Sequence, residues 1–147
     1  MTVLLCDSAQ AVGGKLYILG GGWSRVMAIN PNISMVLAVH MRIPWAEANR
    51  RLTVRFDLVT EDGQSVPAPN GDGVYAEAKV EVGRPPGLRP GTDLDQTFVI
   101  PAVVPLRAGV YRWDVSVDGE KLEDVAFEVV APPPEVTFLP GGRPNPS

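Results

Sequence analysis

The stretch GGKLYILGGGWSR, Gly13 to Arg25, gathers five glycines and a lysine within ten residues. Glycine-rich backbone next to a lysine can cradle a phosphate, provided a helix follows and points its free N–H groups at the anion. The spacing does not fit. A nucleotide loop requires Gly, four residues, then Gly-Lys-Ser/Thr. Here Gly14-Lys15 is followed by Leu16, and Ala9 and Gln10 stand where the first glycine belongs. In the dinucleotide pattern Gly20 and Gly22 fill the first two positions, but Arg25 takes the third. The residues that follow, WSRVMAI, alternate as a strand. The stretch therefore argues against nucleotide binding.

Other reactive side chains are sparse. His40 is the single histidine, which rules out paired-histidine zinc sites, and it alternates with Ala38 and Arg42 opposite an apolar strand face. Cys6 is the single cysteine; it sits among apolar neighbours with no base or cation near it in sequence. Ser8 and Ser24 lack the flanking glycines of a nucleophile elbow. Asp62, Asp72, Asp93 and Asp95 could meet around a calcium ion if their loops converged, yet no calcium-loop consensus is present, and turn aspartates suit their positions equally. Asp7 is the odd carboxylate. A two-residue Gly13-Gly14 loop pairs Val12 with Lys15, and counting outward sets Asp7 against Gly20. Asp7 is expected as a buried structural anchor, with Gly20, Gly21 and Gly22 marking a bulge or a close approach. No catalytic residue, cofactor or metal ligand is assigned.

The elements that must carry these residues are strands. The chain has 147 residues, 45% hydrophobic, with 15 glycines and 15 prolines, a balance that favours one domain of short strands and many turns. RLTVRFDLVT (51–60), VYAEAKVEV (74–82) and GVYRWDVSVDG (109–119) alternate strictly, as half-buried antiparallel strands do. ISMVLAVHMRI (33–43) is apolar on both faces and reads as a central strand. Further strands are expected at 3–11, 15–20, 24–29, 95–101 and 122–130, one helical turn at 44–50, and exposed loops at 68–73 and 83–93. The last 17 residues, APPPEVTFLPGGRPNPS, form a proline-rich extended tail outside a 1–130 domain.

Net charge is −4, which gives no footprint for nucleic acid. The sign is uneven: residues 1–56 hold six basic and two acidic side chains, residues 57–147 seven and fifteen. A mixed solvated surface or a two-signed docking surface would both produce that split. There is no apolar run long enough to span a membrane and no secretory leader pattern, so a cytoplasmic protein is expected.

RAGVYRWDVSV (107–117) resembles the sixth strand of an immunoglobulin-like sandwich. Tyr111 would turn its hydroxyl back on the preceding corner, and Trp113 would fill the space between the sheets where a disulfide otherwise lies. With LLCDSAQAVGGKLYILGGGWSRV and RLTVRFDLVTEDG, this segment makes residues 1–130 similar to a bacterial family of small β-sandwich proteins, a domain of unknown function. The resemblance implies a fold and no activity.

The expectation is an all-β, immunoglobulin-like antiparallel β-sandwich with a proline-rich C-terminal tail. It would act without catalysis, binding a protein partner or further copies of itself. Trp23 and Trp45 are candidate contact anchors, with core packing as the competing role. Val136, Phe138 and Leu139 are candidates for strand addition from the tail. The alternative is a small-ligand or carbohydrate-binding sandwich, with or without calcium.

Overall fold

The computed structural model describes residues 1–133 and, beyond them, the strand residues Phe138–Leu139 and Arg143–Pro144. Period-two alternation becomes strands in chain order: β1 (Thr2–Val12), β2 (Lys15–Gly21), β3 (Arg25–Met27), β4 (Asn32–Ile43), β5 (Leu52–Thr60), β6 (Tyr75–Val80), β7 (Leu94–Pro105), β8 (Gly109–Val117) and β9 (Glu120–Val130). One 3-10 turn, Trp45–Glu47, sits at the crossover after β4. Two sheets result. The first has the order β2-β1-β4-β7 and the second β3-β9-β8-β5-β6.

The first sheet is antiparallel throughout, with β4 central as its two apolar faces require. The second sheet departs from a purely antiparallel plan, because β3 joins β9 in parallel, Arg25 against Glu128. β2 feeds that arrangement: it belongs to the first sheet, and the chain then crosses to the rim of the second.

The core lies between the sheets. Leu37 and Val39 of β4 face Phe56, Leu58, Trp113 and Val115 of the second sheet, all buried. The Trp113 indole N–H donates to Met35 Sδ at 3.3 Å, so its polar atom is satisfied across the interior. Phe56 meets Phe98 edge-on at 6.2 Å between ring centres. At the passage from β7 to β8 the Tyr111 hydroxyl donates to the Arg107 carbonyl at 2.9 Å, and its ring stacks on Phe127. That bond ties the corner to the strand it introduces.

Turn chemistry sets the registers. Gly13 and Gly14 both take positive φ, +60° and +75°, and close β1 on β2 with Val12 opposite Lys15. Asp118-Gly119 joins β8 to β9 in the same manner. Glu61-Asp62-Gly63 turns the chain as expected but does not deliver it directly to β6. The segment first makes a small excursion, bridging Val59 to Ser65 and Pro67 to Gly73, before β6 pairs with β5.

Candidate functional site

Two surfaces of the sandwich differ in chemistry. The outer face of the second sheet is covered by charge pairs. Arg55 donates to Asp57 at 3.0 Å and reaches Glu77, while its guanidinium lies over the Tyr75 ring. Arg112 and Lys121 both hold Asp114, at 2.7 and 3.2 Å. Burial alone would raise the Asp114 carboxyl, but the two cations offset it and hold it below the usual carboxylate range. Arg25–Glu128 and Arg50–Asp118 continue the pattern. Arg25, Arg50 and Arg55 of the basic first part thus pair with carboxylates of the acidic remainder.

The outer face of the first sheet is apolar by comparison. Opposite the core residues of β4 stand Val36 and Ala38; Leu4 pairs across from Ala38 on one side and Val99 on the other. Cys6 and Pro101 flank Val36 in the same way, and Val103, 66% exposed, continues the row. Cys6 is buried beneath these neighbours and its thiol points at the Val36 carbonyl, 3.3 Å away. Burial, then the nearby Asp7 charge, pushes that thiol up, away from the reactive thiolate. This face was not foreseen from sequence, although the double-sided apolar character of ISMVLAVHMRI carried the signal.

A hairpin arm extends this sheet. β1 pairs with β4 only from Thr2 to Cys6, and from there to Val12 its ladder runs with β2 alone. The arm carries Leu19 at 72% exposure, Tyr17 at 57% and Val12 at 56%. At its base the ladder Cys6–Gly21 and Ser8–Leu19 brackets Asp7 against Gly20. Asp7 is exposed, which corrects the expectation of a buried anchor: the second half of β1 has left the core. Its carboxylate nevertheless fills the space over Gly20, where a Cβ would lie 2.8 Å from Asp7 Cγ at a φ of +59°. A Cβ on Gly21 would come within 2.6 Å of Ile18 Cγ2 and 3.2 Å of Leu4 Cδ2. Gly22, at φ +84°, passes beside Leu4. The glycine run therefore makes room for the protein's own side chains.

The remaining candidates fall elsewhere. His40 shares a 2.8 Å contact with Asp95, which Arg42 also approaches at 3.9 Å, so Asp95 is engaged on the surface. Among the described residues no group of three or more His, Cys, Asp or Glu is placed to hold a metal ion. Trp23 is half-buried, meeting Phe127 edge-on, and its indole N–H is buried without a partner among the described residues. Trp45 packs on the core rim, with Arg84 stacked on its ring and bonded to its carbonyl at 2.7 Å. Both tryptophans are partly buried and pack against the core. Trp45 also pins the start of the 83–93 loop. Tyr111 and Trp113 lie at the corner and in the core as described. Val136 lies outside the described residues. Phe138 and Leu139 form β10 and pair with Pro144 and Arg143 of β11, a ladder local to the tail. A shallow groove of about 420 Å³ runs between the edges β6 and β7, over Ala76, Ala78, Phe98 and Ile100.

Among the described residues no helix is long and apolar enough to cross a membrane. No curated protein matches the chain in sequence. A family model does match it, over residues 1–130, the same span that the strands β1–β9 occupy, and the chain belongs to that family: Family of unknown function (DUF6941).

Proposed function

We propose that the chain is a protein-docking module that carries no catalytic chemistry, built on an immunoglobulin-like sandwich. The observation that carries this reading is the contrast between the two outer faces. One is neutralised by paired charges. The other is apolar from Leu4 through Val36 and Val99 to Val103 and runs on into an arm with exposed Tyr17 and Leu19. Exposed apolar side chains at Val103, Tyr17 and Leu19 beside a face of paired charges support a contact surface. The immunoglobulin-like reading is supported by the β3–β9 parallel pair beside an antiparallel sheet, by the Tyr111 corner and by Trp113 at the sheet interface. A cytosolic setting suits a chain whose single thiol is buried and unpaired.

The test replaces Leu19 and Val103 together by Lys. Both are exposed, so the variant folds with an unchanged circular dichroism spectrum. The wild-type chain is expected to run either above its monomer mass or with a stoichiometric protein partner from its own host, and the double variant to lose that association at least tenfold. A wild-type chain that is monomeric and partnerless at 100 µM on the order-of-magnitude scale of weak complexes overturns the reading.

A further inference from the structure

Among the described residues the sandwich has four strand edges, and three of them are blunted. β7 carries Pro101 and Pro105, which remove two backbone donors. β6 is six residues long and presents Glu77 and Lys79 outward. β3 has three residues and begins on a charged arginine. β2 differs. Its sequence KLYILGG has no proline and one charge, at its first residue, and it pairs with β1 on one side only among the described residues. A bare apolar edge of this kind is a template for another strand.

Resting on the docking reading above, we infer that β2 pairs antiparallel with β2 of a second copy, joining two four-stranded sheets into one of eight. The register follows from the hairpin. In a two-residue loop the closing pair, Val12–Lys15, exchanges backbone bonds, and the alternation then turns the N–H and C=O of Leu16 and Ile18 away from β1. A twofold axis normal to the sheet keeps each face on its own side, so only residues an even number apart can oppose each other. Gly20, at positive φ, ends the regular stretch, which leaves Lys15 to Leu19 and places the axis at Tyr17. Leu16 and Ile18 of one copy then bond Ile18 and Leu16 of the second. Tyr17 faces its own counterpart as a non-hydrogen-bonded pair.

A second copy fits better than an unrelated peptide for two reasons. The charges are self-compatible: each Lys15 lies opposite an apolar Leu19, with the two lysines at opposite ends of the ladder. The pairing also covers apolar surface at the seam. Tyr17 and Leu19, 57% and 72% exposed, and Ile18, 37% exposed, all lie on β2 itself, and each copy covers the open backbone edge of the other.

The experiment uses the full chain. Light scattering is expected to give twice the monomer mass at tens of micromolar, and Tyr17→Cys to form a disulfide-linked dimer on mild oxidation while Lys15→Cys does not. Ile18→Pro removes a donor that β1 does not use, and it is expected to weaken the dimer at least tenfold. Leu19→Lys, at an exposed position, supplies the same answer should the proline disturb the strand. A dimer that survives both changes, or that Tyr17→Cys fails to trap, overturns the β2 pairing and leaves docking through another surface. A monomer holding a stoichiometric foreign partner overturns it likewise. A monomer with no partner overturns this inference and the docking reading together.

Discussion

Gly20 is held in place by two separate constraints, and they can be measured apart. Its φ of +59° disfavours any side chain, and the Asp7 carboxylate occupies the place a Cβ would take. Left-handed backbone costs an alanine about 1 kcal/mol, and displacing Asp7 adds about as much again. Gly20→Ala is therefore expected to lower stability by about 2 kcal/mol in urea unfolding. Introducing Asp7→Ala into that variant should recover about half of the loss, because the steric part disappears and the backbone part stays. Equal losses with and without Asp7 would show that the carboxylate is free to swing away. The pairing of residues 7 and 20 was legible from sequence, because a two-residue turn fixes a register by counting. The exposure of Asp7 was not. It depends on where β4 stops supporting β1.

At the scale of elements, the corner before β8 joins the two sheets, and Tyr111 fastens it. Its hydroxyl reaches the Arg107 carbonyl while its ring lies on Phe127, so one side chain couples the crossover to the β8–β9 hairpin. Tyr111→Phe keeps the ring contact and removes the hydrogen bond. It is expected to cost about 1 kcal/mol. Trp113→Ala, in the middle of the same strand, opens the core and should cost about 3–5 kcal/mol. Thermal melts of the two variants check the order, and a larger loss for Tyr111→Phe would contradict the assignment of Trp113 as the central packing residue. The strands themselves were readable because alternation is a local property. The parallel seating of β3 on β9 was not, since three residues, Arg25 to Met27, carry too little pattern to name their neighbour.

For the molecule as a whole, the described core reaches to the end of β9. Among the described residues Val129 is the last buried one, and Val130 completes the ladder to Met27. A chain ending at Pro133 is therefore expected to melt within a few degrees of the full-length protein, a shift of under about 1 kcal/mol. A drop of ten degrees or more would mean that residues beyond Pro133 support the sandwich. Sequence alone was enough for the all-β class, the hairpin registers, the Tyr111 corner residue and the reading of Gly13-Gly14 as a hairpin turn. Each of these depends on alternation, turn residues and spacing along a short stretch of chain. Which apolar side chains end up beside one another became visible in the folded chain. Leu4, Val36, Val99 and Val103 read in sequence like any other strand residues. They share one outer face because β1, β4 and β7 lie side by side, with His40, Arg42 and Asp95 at one end of it and Val103 exposed at the other. Alternation marks which side chains share a face, but what covers that face is set by neighbours distant in the chain.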